Sequence, residues 1–385
     1  MAAPSRHPVV KKNDDIEALR GVAILAVLGA HLSNLSTLGR FLPAWLADGG
    51  AGVQLFFVIS GFVVGRSLMR SLDGAAADGT TRARVVMAFY CRRVFRLAPI
   101  AVVSIVLAYV LYSGYRLIGI DSLAALWRDV ELIVTLRLNY AWIADIRQHP
   151  LSIFWSLMVE EHFYLALPLV LIGVRSVPLR AGLALVIIVG TVAVLRPSQY
   201  AVNDPPDLIG RRILYATHLA LDFFAAGLLV AILETVRGRL DLAAWRLPLR
   251  VLSLGLMAFI LGVGQSWAGD DLVRLMASRL AASTVLVFLA AQDSGAVVPG
   301  SAFRAGLRVV GSRSYSLYLL HIPVLLWFQA QFFDRSSRPE LEVWDVVPVL
   351  GALVSMAALV EVLHRWLEQP FIERGRVLAG RLLAR

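Results

Sequence analysis

APIAVVSIVLAYVLY, residues 98–112, carries no charged side chain, and its polar groups are one serine and two tyrosines. With its neighbours it makes a span over 97–115, matching the ~20 apolar residues a helix needs to cross a hydrocarbon core of roughly 30 Å. GVAILAVLGAHL (21–32) and LALPLVLIGV (165–174) read the same way. No turn-punctuated ten-residue alternation appears, so helices rather than a β-barrel must satisfy the backbone. The whole chain agrees: it is 58% hydrophobic and only 17% charged, with a mean hydropathy of +0.71.

Ten such spans are expected, near 16–37, 51–69, 97–115, 152–174, 180–195, 212–234, 250–267, 273–292, 312–333 and 343–365. Segment 122–138 is apolar enough to suggest an eleventh but contains Arg128, Asp129, Glu131 and Arg137. Four charges at that depth are costly, so the segment is assigned to the outer surface. With both termini cytoplasmic, 24 of the 37 Lys and Arg fall on inside segments, 10 outside and 3 within spans. This is the positive-inside asymmetry, and an eleventh span would invert it downstream. The expected fold is all-α, a polytopic membrane helix bundle of about ten transmembrane helices. A cytoplasmic N-terminal segment (1–15) and a short cytoplasmic tail (368–385) flank the transmembrane domain, 16–367.

The net charge of +10 reports this topology. With no soluble basic domain it does not point to nucleic acid. The single cysteine, Cys91, excludes an internal disulfide and a cysteine-based metal cluster, and beside Arg92 at the inner face it is expected to be a reduced thiol. No two of the seven histidines pair at ligand spacing on one helix, so no metal is expected. The basic, then apolar, N-terminus resembles a signal peptide. Its run is long, holds Arg20 and His31 and lacks a small-residue cleavage site, so it is expected to stay as the first span. No internal repeat supports an inverted-repeat transporter. A small, polar, mobile loop is expected at 70–83 (RSLDGAAADGTTRA) and an outside loop at 196–208 (RPSQYAVNDPPDL). About twenty residues after the last span are too few for a folded catalytic domain, which places the chemistry in or beside the bundle.

Arg20 and His31 stand eleven positions apart on the first span, about three full turns, so they share a face at roughly 16 Å. Arg20 falls at the inner edge and His31 near or beyond the midplane. Arg20 can snorkel to headgroups and His31 can be capped by a neighbouring helix. Alternatively, a neutral intramembrane imidazole is suited to act as a general base. In FYCRRVFRLAPI (89–100), Arg92, Arg93 and Arg96 sit at the inner entry to the third span. They are either topological anchors or a guanidinium fork for a phosphorylated ligand. In SIFWSLMVEEHFYLALPLV (152–170), Trp155, Ser156, Glu160 and Tyr164 lie near one face. Glu160 either orients His31 or clamps an arginine, while Glu161 and His162 look more replaceable.

In GGAGVQLFFVISGFVVG (49–65), Ser60 and Gly61 remove bulk, for a close ligand or for ordinary helix packing. In GSRSYSLYLLHIPVL (311–325), Ser312, Ser314, Tyr315, Ser316 and Tyr318 precede His321 and Pro323. Pro323 frees a mid-span carbonyl for a serine or water, and His321 is either structural or ligand-facing.

In order and spacing these segments resemble the acyltransferase-3 family of membrane O-acyltransferases over nearly the whole chain. The resemblance runs through IEALRGVAILAVLGAHL (16–32), GVQLFFVISGF (52–62), FYCRRVFRLAP (89–99), WSLMVEEHFYL (155–165), SYSLYLLHIP (314–323) and EQPF (368–371). It implies a core of about ten helices in the bacterial cytoplasmic (inner) membrane. It also implies His31 as catalytic base, Arg20 as essential partner, Glu160 as the family glutamate, and Arg92, Arg93 and Arg96 as holders of coenzyme A. Gln54 stands where many members carry Asp. Some members carry an appended extracytoplasmic hydrolase-like domain, which is not expected here. Acyl-CoA, most simply acetyl-CoA, is the implied donor and a cell-envelope carbohydrate hydroxyl the implied acceptor. A glycosylated small molecule such as a macrolide sugar is the alternative. A transporter or flippase for acyl-CoA or glycolipid is the rival class. Direct transfer is simpler than an acyl-enzyme, since no serine or cysteine sits in a nucleophile motif, although an acyl-His31 intermediate stays open.

Overall fold

A computed structural model describes residues 12–35, 49–115, 123–144, 151–263, 271–332 and 343–384. Among them every regular element is helical. The sequence runs α1 (Asp14–Leu35), α2 (Gly50–Asp78), α3 (Arg82–Tyr115), α4 (Leu123–Val134), α5 (Leu138–Ala144), α6 (Phe154–Gly173), α7 (Val177–Gly190) and α8 (Pro206–Tyr215). It continues with α9 (Leu221–Arg237), α10 (Arg246–Ala258), α11 (Leu272–Ala291), α12 (Ser301–Ser312), α13 (Ser314–Phe332), α14 (Val343–Leu363) and α15 (Gln369–Ala384). Turns of π-helix, Thr191–Leu195, Phe259–Val263 and His364–Glu368, extend α7 and α10 and join α14 to α15.

Local signals set several boundaries. Asn13 caps α1 by accepting from the Ile16 amide at 2.9 Å, and Asp14, Asp15 and Glu17 occupy the first turn. Asp271 caps α11 by accepting from the Arg274 amide at 3.0 Å. Gly79, at φ 73°, closes α2 in the left-handed region.

The chain is a multi-pass membrane protein. Eight of the ten expected spans fall on helices long and apolar enough to cross a bilayer. Of the other two, the one expected at 312–333 falls on α13 (19 residues), and the one expected at 212–234 overlaps α9 (17 residues) only from Leu221. α2 is the central span, with 72% of its apolar window buried, against 17% for the windows of α3, α7 and α10. Those three helices turn apolar faces outward, as with Val102 and Val106 on α3 or Val186 and Val189 on α7, as lipid contact requires.

Three expectations change. Residues 70–83 are not a mobile loop: α2 continues through Asp78, leaving only 79–81 as the turn, because alanines extend a helix until a left-handed glycine ends it. Residues 196–208 are not one loop, since the seventh helix continues through its π turn to a last 3-10 turn at Gln199–Ala201. The span expected at 212–234 breaks at a 3-10 turn, Thr217–Leu219, and starts anew at Leu221. Within the expected tail, α15 packs on α3 so closely that a Cβ on Gly375 would lie 2.5 Å from the Phe95 Cβ. Within segment 122–138, Leu123–Val134 form α4, of twelve residues, about 18 Å long and too short to span. Leu136, at φ 58°, then turns the chain into α5. Most of the N-terminal segment, residues 1–11, lies outside the described residues.

Helix crossings are tight where glycines allow it. A Cβ at Gly61 would collide with the Phe224 carbonyl of α9, and one at Gly227 with the Val58 carbonyl of α2. Gly61 therefore serves the α2–α9 crossing, and it lines neither of the cavities described next.

Candidate active site

Two cavities of about 350 Å³ each lie inside the bundle. The proximal cavity is at the end where α1 begins, and Lys12, Glu17 and Arg20 line it. The distal cavity lies further along α1, where Ala30 and His31 line it. Helix direction explains the division. α2 and α6 run opposite to α1, so Gly50 and Trp155 face the distal cavity, while Ser60, Glu160 and Tyr164 face the proximal one. Val53, Phe57 and Tyr318 line both, forming a shared neck. The Tyr318 hydroxyl is 2.5 Å from that of Ser156.

The proximal cavity is lined by five cationic side chains, Lys12, Arg20, Arg93, Arg96 and Arg376, against three carboxylates, Glu17, Glu160 and Glu368. Arg20 donates to Ser314 Oγ at 2.8 Å and to Glu17 Oε1 at 3.3 Å. Arg93 stacks over the Tyr164 ring, 4.6 Å from its centroid. Tyr164 donates to Glu160 Oε1 at 2.6 Å, and Ser60 donates to the same oxygen. Glu160 is therefore held by two hydroxyls. Glu368 accepts from Ser316 of α13 at 2.6 Å and from His364 Nδ1, on the third π turn with it, at 2.9 Å. Tyr315 donates to the Leu97 carbonyl at 2.7 Å, tying α13 to the arginine-bearing part of α3. The arginine trio divides: Arg93 and Arg96 line the cavity and Arg92 does not.

The distal cavity is aromatic and nearly uncharged. Trp142, Trp155, Tyr215 and Phe223 form much of its wall, with Gln54 and Met276 beside them. The His31 and His321 rings are 5.0 Å apart. His321 is fully buried, and its Nδ1 lies 2.6 Å from the Tyr318 carbonyl and 3.2 Å from that of Leu317. A carbonyl only accepts, so Nδ1 carries the hydrogen and Nε2 is left with a lone pair. That Nε2 is buried and without a hydrogen-bond partner.

The structure thus brings His31 to His321 and Trp155, and brings Arg20 to Glu160, Arg93, Arg96, Ser60, Tyr164 and Tyr315. Ser156 sits at the neck. The freed carbonyl of Pro323 is met by a serine from another helix, as Ser104 Oγ donates to Leu319 O at 2.7 Å. Sequence reasoning missed Arg196, which lines the distal cavity fully buried. Its only signal was a lone arginine ending an apolar run. Among the described residues no group of three or more His, Cys, Asp or Glu is arranged to hold a metal ion.

A family model described as an acyltransferase domain matches residues 13–365, nearly all of this bundle. The chain belongs to the acyltransferase-3 family. Among curated relatives of that acyltransferase type, it is 24% identical over 390 residues to a provisionally named O-acetyltransferase of Staphylococcus aureus (strain COL), covering 94% of this chain and 57% of the relative. It is 23% identical over 379 residues, with the same coverage, to the O-acetyltransferase OatA of Staphylococcus aureus (strain NCTC 8325 / PS 47). The chain therefore spans a little over half the length of these acyltransferase relatives, 57%. No solved structure matches it.

Proposed function

We propose that this protein is a membrane O-acyltransferase that takes an acetyl group from acetyl-CoA in the proximal cavity and delivers it to a carbohydrate hydroxyl in the distal cavity. The observation that carries this reading is the pair of unlike cavities meeting at the Val53, Phe57 and Tyr318 neck. The cation-rich end suits the diphosphate and 3′-phosphate of coenzyme A, which Arg93 and Arg96 would grip by charge-assisted hydrogen bonds. The positive-inside count supports reading that end, and both termini, as cytoplasmic, the side on which acyl-CoA would be supplied if the membrane is a bacterial inner membrane.

In the proposed step the acyl-pantetheine arm threads the neck. His31 takes the proton of the acceptor hydroxyl as its oxygen attacks the thioester carbonyl. The carbon–sulfur bond then breaks, and the proton on His31 passes to the departing thiolate, giving ester and free coenzyme A. His321 Nε2, fixed as an acceptor, would receive the one N–H of neutral His31 and leave the other nitrogen basic. Arg20 is about 16 Å along α1 from His31. It therefore fits the phosphate end better than the oxyanion, for which the Tyr318 and Ser156 hydroxyls at the neck are the better placed donors.

The test is thiol release from acetyl-CoA by protein in nanodiscs, offered cell-envelope glycans and glycosylated small molecules including macrolides. Acceptor-dependent release that vanishes in His31→Ala supports the proposal. Equal release by both proteins removes His31 from the chemistry. Binding of acyl-CoA without thioester loss, together with its movement across a vesicle membrane, would favour transport instead.

A further inference from the structure

Arg196 is the one charged side chain among the described residues lining the distal cavity, and although its guanidinium lies 5.4 Å from the Phe223 ring centroid and pairs with Asp222, part of its donor set is unused. Its Nη2 donates to the Leu219 carbonyl at 2.7 Å and to Asp222 Oδ1 at 2.8 Å. Its Nε and Nη1 are buried without a hydrogen-bond partner, and so is Asp222 Oδ2. Unspent donors on a buried guanidinium are costly, and a pair of ions replaced by apolar residues would commonly be no less stable. Stability alone does not explain the arrangement.

The backbone makes a local exception to bring Arg196 there. The π turn Thr191–Leu195 immediately precedes it, and such turns recur at functional sites. Val194 and Leu195 are 60% and 41% exposed, whereas Arg196 is 0% exposed. The chain thus switches from an outward face to the cavity in a single residue.

We propose that the Arg196–Asp222 pair positions the acceptor by donating to an uncharged oxygen of a hydroxylated ring, and that it selects neutral sugars over anionic ones. Asp222 neutralises the guanidinium, so the site offers directed N–H groups with little net charge, and a phosphate or carboxylate would face the aspartate across the pair. The walls agree with a ring. Trp155 meets Tyr215 edge-on at 4.7 Å, and Trp142 meets Tyr215 at 6.0 Å, giving flat apolar surfaces beside a few fixed polar groups. The proposal rests on the distal cavity being the acceptor side.

The test uses the full chain in nanodiscs and three probes: methyl glucopyranoside and diacetylchitobiose, both neutral, and the anionic methyl glucuronoside. Removing Arg196 alone would strand a buried aspartate, so the informative variant is the double replacement Arg196→Met with Asp222→Leu, alongside Arg196→Lys. Neutral probes should quench wild-type tryptophan fluorescence and serve as acceptors. In the folded double variant the acceptor half-saturation should rise about tenfold or more, a factor worth ~1.4 kcal/mol, with the acetyl-CoA KM within about twofold. Arg196→Lys should fall between.

An unchanged acceptor half-saturation in the folded double variant overturns the proposal, as does failure of the wild type to bind either neutral probe. A preference for the glucuronoside refutes its selectivity. If the wild type binds neutral glycosides in an Arg196-dependent way yet releases no thiol with any acceptor, the catalytic reading fails and this one stands. Turnover indifferent to Arg196 gives the reverse.

Discussion

Ser104→Ala should cost this protein about 1–2 kcal/mol in an otherwise native chain, and much less once Pro323 is gone. Pro323 has no N–H, and its ring presses on the carbonyl four residues back, that of Leu319 in mid-span. Ser104, fully buried on α3, donates to that carbonyl at 2.7 Å. Without the hydroxyl the carbonyl is buried and unsatisfied, which costs about 1–3 kcal/mol in general, while hydrogen bonds between membrane helices average nearer ~0.6 and reach ~1.7. Pro323→Ala restores the amide, so the helix itself can satisfy Leu319. In that background Ser104→Ala should cost under about 0.5 kcal/mol, leaving a coupling near ~1 kcal/mol. The four free energies come from steric-trap unfolding in bicelles. Thiol release provides a second readout, since Tyr318 and His321 sit in the same turns. An equal cost in both backgrounds would show that Ser104 does not serve the Leu319 carbonyl.

His31→Ala should lower kcat by about 10²–10⁴-fold, with little change in the acetyl-CoA KM measured by initial-rate kinetics, because His31 does not line the proximal cavity. Arg93→Gln or Arg96→Gln should raise that KM about tenfold or more, since hydrogen bonds to charged groups are worth ~1.5–3 kcal/mol. Arg92→Gln, outside the cavity, should raise it less, and the wild-type KM should increase with salt. Gly61→Val should drive a side chain into the Phe224 carbonyl and cost about 1–3 kcal/mol, seen as a lower melting temperature in fluorescence-detected size-exclusion chromatography.

The spans were readable because hydropathy records burial in lipid directly, and Pro323 marked a mid-span carbonyl that a serine or a water would have to meet. The candidate residues were readable as types. Their grouping was not, because a helical repeat says which residues share a face but not where a cavity narrows. Trp155 and Glu160 lie near one face of α6, yet one belongs to each cavity. Arg92 and Arg96 are four apart, yet it is Arg93 that joins Arg96. Arg196 was hidden for a different reason. Pro197 and the polar residues after it imitate a loop, while a π turn and an aspartate twenty-six positions later draw the arginine inward.

On the proposed reading, the asymmetry of the two cavities bears on why acyl transfer would be built across a membrane. Coenzyme A carries several charges, and moving them through hydrocarbon is far more costly than moving a neutral two-carbon acyl group. A bundle that fixes the phosphates at one end with arginines and opens only an uncharged neck toward the other would export the acyl group while retaining its carrier. Among the described residues five cations line the proximal cavity, and the lone arginine of the distal cavity is paired with Asp222, a distribution that suits this reading. An acceptor-side Arg196 without its aspartate would pull the donor's phosphates toward the neck. On the proposed reading, the buried pair therefore serves two ends, giving the acceptor directed hydrogen bonds and giving coenzyme A no electrostatic reason to follow its acyl group.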